Sequence, residues 1–425
     1  MHAQQPAPSH PAAPPAPATA PRASERLEII DALRGSALFG ILLLHAVEHW
    51  DFMRMPEGRA PWLQRLDDAT VSWAFFLFGG KAYAVFALLF GVSFFITLQA
   101  WKQDGRGASG RFLWRLAVLA AIGYVHGLLY CGDILMVIAV LGVPLVLLNR
   151  LPSRALAAVA VLLLLQLPQW VEVWRVAADP GFQPAARRFW SLYAQTDPVF
   201  ATGSLADVIH LNAWTGQLAK WWWMVETFRY PQMLGLFVCG LLMGRSGVWH
   251  DAVRLRRLAW RALAAGAAGF SLTWLAQRGV ATLDLAGMRR HVVDELIGMY
   301  GNLAQMAIWA GGFVLLYPSA KARAALRLFA PYGRMSLTGY TTQALFGVPF
   351  FYGFGLGMYR IAGPFPAVLF GLAVFIVQCA LAHAWLRRFR YGPLEWLWRA
   401  LTLGTMAIPM RRRPRSPEPE TALTK

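Results

Sequence analysis

Apolar runs of membrane-crossing length alternate with short polar breaks along most of this chain. They fall at Leu33–Trp50, Ala82–Ala100, Phe112–Leu129, Asp133–Asn149 and Ser153–Val171. They resume at Pro231–Trp249, Leu258–Ala276, Gly298–Tyr317, Tyr332–Phe351 and Phe365–Leu386. A helix crossing the hydrocarbon core takes about 20 mostly apolar residues, so the pattern predicts about ten spans. The stretch Val71–Trp101 is too long for one span, and Gly79-Gly80-Lys81 interrupts it. It predicts a short interfacial or re-entrant piece ahead of the second span. Lys81 then sits at the break, where irregular backbone has to line a cavity or pack on protein. The expected fold is all-α: a polytopic helical membrane protein.

The segments outside these runs set the domain limits. Residues 1–25 are almost all Pro, Ala, Ser and Gln, and predict a disordered tail. They lack the basic and then apolar order of a signal peptide. Residues 26–405 read as one transmembrane domain, and 406–425 as a disordered basic tail. Within the domain, residues 172–230 are polar and Trp-rich. Ala213–Trp223 mixes aromatic and polar positions, as an interfacial amphipathic helix does.

Composition agrees: 57% of residues are hydrophobic and only 15% charged. The net charge of +18 changes the picture through its placement. With a cytoplasmic N-terminus, 27 of the 40 Lys and Arg fall in inner segments. That is the topology bias of a multi-pass protein of the cell inner membrane with both termini cytoplasmic, its partner the lipid bilayer and not nucleic acid. Three cysteines, Cys131, Cys239 and Cys379, show no ligand spacing and read as buried apolar side chains.

The first span carries the chemistry. Arg34 and His45 are eleven steps apart, about 20° from three full turns, so they share a face roughly 16 Å apart along the axis. Asp31 joins Arg34 on that face, and Glu48 and His49 join His45. Ionisable groups inside a membrane segment are costly and mark function. Three readings compete. In acyl transfer, Arg34 at the inner mouth holds an anionic donor and His45 serves as base or acceptor. In a metal reading, His45-Ala-Val-Glu48-His49 spells H-x-x-E-H, but no third ligand follows. In a structural reading, Arg34 anchors at headgroups and His45 satisfies a carbonyl. A haem held by histidines of different spans has no support in the spacing.

Two further places bear on the choice. His126 and Asp133 flank the turn Tyr130-Cys-Gly132 and can pair across it. The ninth span has a polar load, Arg334 followed by Ser336, Tyr340 and Gln343 on one side, and Asn302 on the eighth span can face the same space.

Several stretches then resemble one family. Ile30-Asp31-Ala-Leu-Arg34-Gly-Ser-Ala-Leu-Phe-Gly, Gly132-Asp133-Ile-Leu135, Tyr332-Gly-Arg334-Met-Ser-Leu-Thr338-Gly-Tyr340 and Arg390-Tyr-Gly-Pro-Leu-Glu395-Trp-Leu-Trp-Arg399 resemble the YeiB-like integral membrane proteins, defined by domain of unknown function 418. In its first helix that family is similar to the transmembrane acyltransferase superfamily, where Arg, ten residues and then His are functional. Arg34 and His45 match that pattern, although many YeiB-like proteins are similar to this chain there except for an asparagine in place of His45. The resemblance implies an acyl group, acetyl in the first instance, moving from cytoplasmic acyl-CoA to a small-molecule or glycan acceptor. His45 would be catalytic. Asp31, Arg34, Lys81, His126, Asp133, Asn302, Arg334, Tyr340 and Gln343 would bind donor or acceptor. Acyl-CoA enters as co-substrate, with no metal and no tightly bound cofactor. The competing reading is a transporter or channel for a small solute, using the same polar space without covalent chemistry.

Overall fold

A computed structural model describes residues 23–52, 54–103 and 107–412. Most of the Pro/Ala-rich tail and the last part of the basic tail lie outside the described residues. In chain order the helices are α1 (Ala23–Val47), α2 (Pro61–Phe78), α3 (Ala82–Gln103), α4 (Ala108–Leu129), α5 (Leu135–Leu148) and α6 (Ser153–Leu164). Next come α7 (Leu167–Ala178), α8 (Arg188–Thr202), α9 (Leu205–Leu211), α10 (Gln217–Glu226), α11 (Arg229–Arg245) and α12 (Ala252–Val280). The chain ends with α13 (Gly287–Leu316), α14 (Ala320–Leu326), α15 (Phe329–Arg334), α16 (Ser336–Phe351), α17 (Pro364–Arg388) and α18 (Pro393–Leu403). The fold is all-α and polytopic.

Six helical stretches among the described residues are long and apolar enough to cross a membrane, fewer than the ten read from the sequence. The difference has physical causes. α5 has 14 residues and α11 has 17, both short of a full span, and α12 carries four arginines in its first ten residues. Gln166, at a left-handed φ of 53°, separates α6 from α7, yet Ser153–Ala178 still counts as one apolar stretch. The run at 332–351 breaks at Met335 into α15 and α16. The helix before the Gly-Gly-Lys break begins at Pro61, inside a loop-like polar stretch, because Pro is well suited to the first helical turn.

α1 is the inner helix. Of its apolar window, 78% is buried inside the protein, against 17–44% for the other five spans. It packs on α15, α3, α17, α2 and α16. Outward faces carry Trp73, Val125, Leu147, Leu272 and Ile376, all exposed. Large apolar groups pointing away from the core are what a bilayer solvates.

Close approach in lipid depends on small residues, since burying apolar surface gives no advantage over the lipid itself. Gly35 of α1 faces Gly333 of α15. A Cβ on Gly333 would run into the carbonyl oxygen of Asp31, and one on Gly35 into that of Phe329. We expect Gly333→Leu to force the two helices apart and to lower the melting temperature of the detergent-purified protein, at a cost of about 3 kcal/mol. An unchanged melt would show that this crossing does not hold α1.

The most family-specific stretch forms a clasp. Glu395 of α18 accepts hydrogen bonds from the amides of Leu337 (2.7 Å) and Thr338 (3.0 Å) and from the Thr338 hydroxyl (2.6 Å). The carboxylate thereby satisfies the otherwise open amides at the start of α16. Trp398 donates to the carbonyl of Arg115 on α4 (2.9 Å), and the Arg115 guanidinium lies over its ring at 3.4 Å. The first residues of the basic tail also return to the body: Arg390 N donates to Met410 O (2.8 Å), and Arg412 N to Arg388 O (3.0 Å).

Candidate functional site

α1 ends in an unusual turn that places the site. His49, Trp50 and Asp51 take φ of 47°, 56° and 63°, three successive left-handed residues without a glycine. Each costs roughly 1–2 kcal/mol and persists only when its surroundings impose it. Here they do. Trp50 is fully buried and its carbonyl accepts from the Tyr352 hydroxyl (2.7 Å). His49 stacks on Phe351, ring centroids 4.4 Å apart. The turn carries Glu48 and Asp51 into the wall of a cavity of about 600 Å³.

The cavity is walled on one side by His45, Tyr130, Asp133 and Tyr340. The His45 ring lies 5.0 Å from that of Tyr130 and 5.9 Å from that of Tyr340. Behind them, His126 Nδ1 meets Asp133 Oδ1 at 2.8 Å. Asp133 is fully buried, and its other oxygen accepts from Met136 N (3.0 Å). A buried carboxylate accepts here, so Nδ1 of His126 is the donor in this contact. Nε2 of His126 is buried without a partner among the described residues, as is Nδ1 of His45. The Tyr340 hydroxyl accepts from Ile134 N (3.0 Å), which leaves its own proton free to donate elsewhere. The turn between α4 and α5 is possible because residue 132 is glycine. A Cβ there would strike the Asp51 carboxylate and the Tyr130 hydroxyl.

The opposite wall is one the sequence did not reveal. Phe189, Trp190 and Tyr193 of α8 and Lys220, Trp223 and Met224 of α10 close over the cavity. The Trp-rich segment is therefore a cap built of four helices. Arg187 pairs with Glu172 of α7 (3.0 Å) and ties the segment to α13 through Glu295 (3.2 Å). Glu226 holds the start of α8 by accepting from the amides of Arg188 and Phe189 (3.0 and 3.1 Å). Buried Lys220 donates to Gln217 (2.6 Å). On a third side, Arg229 donates to the Tyr83 hydroxyl (2.6 Å), which is itself bonded to Gln232. The only advance signal was a lysine set among four tryptophans.

Of the residues singled out in the sequence, the structure brings His45, Asp133, Asn302 and Tyr340 to the cavity wall, with His126 directly behind. Asn302 stands against Gly80 at the Gly-Gly-Lys break. Lys81 is buried behind the wall, donating to the carbonyl of Phe75 (2.9 Å). Gln343 is fully buried and donates to the Tyr332 hydroxyl (2.9 Å). Arg34 and Asp31 do not reach the cavity. Arg34 meets Asp31 (2.9 Å), the Ser93 hydroxyl (2.8 Å) and the carbonyl of Gly333 (3.5 Å). The helical spacing was right, but the crossing of α15 at Gly333 occupies the arginine's end of the face. Arg334 closes α15, on a different helix from Tyr340 and Gln343, and is exposed. The H-x-x-E-H pattern is not a helical face, because His49 lies in the left-handed turn, and no metal-holding group of three occurs among the described residues.

Beyond the end of α1, burial raises the carboxyls of Asp51 and Glu48 above the ordinary carboxylate range, and the charge on Asp51 adds to the effect at Glu48. A carboxyl raised on folding favours the folded state while it stays protonated, and that contribution is lost as pH rises through the raised value. The melting temperature should therefore fall between mildly acid and mildly alkaline pH, and Asp51→Asn should flatten the fall. Equal pH profiles for the variant and wild type would contradict this placement.

A multi-pass helical membrane protein with a capped polar cavity at its inner helix is the class that fold and site define. Residues 243–405 match the family model described as Protein of unknown function (DUF418). Along most of its length the chain is similar to the uncharacterized protein YxaH of Bacillus subtilis (strain 168), 27% identical over 397 residues, covering 89% of this chain and 94% of that protein. It is also similar to the uncharacterized protein YeiB of Escherichia coli (strain K12), 27% identical over 401 residues, 89% and 97% of the two chains. An uncharacterized 39.9 kDa protein of Bacillus acidopullulyticus is 25% identical over 388 residues, 89% and 94% of the two chains. Residues 243–405 thus resemble the DUF418 family, and most of the chain resembles these uncharacterized proteins. No solved structure matches it.

Proposed function

We propose that this protein is an acyltransferase of the cell inner membrane, with both termini cytoplasmic. It takes an acyl group, acetyl in the first instance, from cytoplasmic acyl-CoA and gives it to an acceptor at or across the membrane. The observation that carries this reading is the grouping of His45, Tyr130, Tyr340 and the His126–Asp133 pair along one side of a cavity of about 600 Å³.

His45 takes the proton of the acceptor hydroxyl or amine as its oxygen or nitrogen attacks the thioester carbonyl. The Tyr340 hydroxyl, fixed by Ile134 N, donates to the oxyanion that forms. The intermediate collapses by breaking the carbon–sulfur bond, and the leaving thiolate recovers the proton from His45. His126, oriented by Asp133, holds the site in one protonation pattern. The aromatic cap excludes water, which would otherwise compete as acceptor. Arg34, only part of whose donor set is used within the protein, is the proposed contact for the phosphates of the donor at the cytoplasmic end.

The test is thermal stability of the purified protein with and without acetyl-CoA. At about 100 times its dissociation constant a specific ligand stabilises by roughly 2.7 kcal/mol. Wild type and His45→Ala should shift, and Arg34→Ala should not, whatever its starting melt. If none shifts with any acyl-CoA while a small solute shows counterflow in vesicles, the cavity belongs to a transporter.

A further inference from the structure

A second hollow lies away from the cavity, and the acyl-transfer reading does not use it. Between α16, α17 and α18 runs a groove of about 590 Å³, walled by Phe346, Leu381, Ala384 and Trp385, with Thr342 and Gln378 at its floor. Its floor is rigid. Gln378 donates to the Thr342 hydroxyl (2.8 Å) and accepts from Tyr332 (2.8 Å). The rim of the groove carries Arg387 and Arg388. Next to it is a shallow basic hollow of about 470 Å³, lined by Arg334, Arg390, Tyr391 and Arg412. The two adjoin through the chain itself: Met335 and Phe389 line the groove, and Arg334 and Arg390 line the hollow.

All five arginines are exposed, and none is paired with a carboxylate among the described residues. Backbone hydrogen bonds from Arg390 to Met410 and from Arg412 to Arg388 hold the two segments of the hollow together. A shaped concentration of guanidinium groups at the mouth of an apolar groove matches one kind of molecule, an anion with a hydrocarbon chain. Guanidinium groups bind phosphate through paired N–H donors, and basic pockets between membrane helices take anionic headgroups.

We infer that this composite groove binds one anionic phospholipid of the bilayer, with an acyl chain between α16 and α17 and its phosphate at Arg334, Arg388, Arg390 and Arg412. The site is distinct from the His45 cavity, so it stands or falls separately from the acyl-transfer reading. It sits against the Glu395 clasp, since Pro393 lines the groove and Thr338 belongs to both. A lipid lodged there covers the seam between α16 and α18.

The experiment is native mass spectrometry of the full-length protein in mild detergent, with phosphatidylglycerol or phosphatidylcholine of identical chains added back. Wild type should retain one phosphatidylglycerol under conditions that strip phosphatidylcholine. Arg334→Ala, Arg388→Ala and Arg390→Ala combined should weaken that retention on the order of a hundredfold. Ala384→Trp, which fills the groove and leaves every arginine in place, should also remove the lipid. Equal retention of the two lipids overturns the proposal. So does phosphatidylglycerol held undiminished by the Ala384→Trp variant, or a lipid-free dimer of this chain as the species that covers the groove.

Discussion

His45→Ala is expected to reduce acyl transfer by about 10²–10⁴-fold while leaving donor binding intact. His45 is near the far end of the inner helix, and its ring touches the cavity between Tyr130 and Tyr340. Among the described residues its Nδ1 is buried without a partner. Removing it leaves a small void lined by aromatic rings, and the cost to folding is modest because Tyr130, Tyr340 and Trp50 are held by other bonds. The measurement is release of free thiol from acetyl-CoA in the presence of a membrane acceptor extract. The control is the acetyl-CoA-induced stabilisation of the same variant. Loss of both together would mean that the variant had simply misfolded, so His45→Gln, which keeps volume and polarity, should be run beside it. It should fold as wild type does and still fail to transfer.

Asp133→Asn is the second large effect, at about 10²–10³-fold in turnover. Asp133 is fully buried and makes two bonds, to His126 Nδ1 and from Met136 N. An amide can serve only one of them with the right polarity. If it keeps the Met136 amide, its NH₂ faces His126 and forces the proton from Nδ1 to Nε2, which inverts the tautomer at the edge nearest the site. The variant also loses a charge-assisted bond worth about 1.5–3 kcal/mol, so some loss of thermal stability accompanies the kinetic effect. The two are separable. His126→Gln should reproduce the fall in turnover, and the double variant should be no slower than either single one, because both act through the same imidazole. Additive losses would place Asp133 and His126 in independent structural roles.

How far the sequence carried this account can be stated residue by residue. The all-α, polytopic architecture was legible because membrane-length apolar runs recur along the chain, but the number of spans was not. His45, His126, Asp133 and Tyr340 were legible for the related reason that polar groups in such runs must face one another. The α4–α5 turn was legible through Gly132-Asp133, although its reason, room for Asp51, is visible only in three dimensions. Arg34 shows the limit of helical spacing. The periodicity put it on the face of His45, yet a second helix crosses that face at Gly333 and separates the guanidinium from the cavity. The cap was not legible. Trp-rich amphipathic sequence lies on a bilayer or over a cavity with the same pattern, and only the Arg187–Glu295 pair to α13 and the α8 and α10 side chains in the cavity wall decide between them. Nor were the breaks at Gln166 and Met335 readable, since neither carries a glycine or proline at the break itself.

The measurement that bears most directly on the account is transfer of labelled acetyl from acetyl-CoA to a membrane acceptor fraction by the purified protein in vesicles, wild type against His45→Gln. The account predicts label in the acceptor fraction and stoichiometric free thiol with wild type, and neither with the variant, while both proteins are stabilised by acetyl-CoA. Label transferred equally by the variant, or no acyl-CoA binding by either protein, would contradict it.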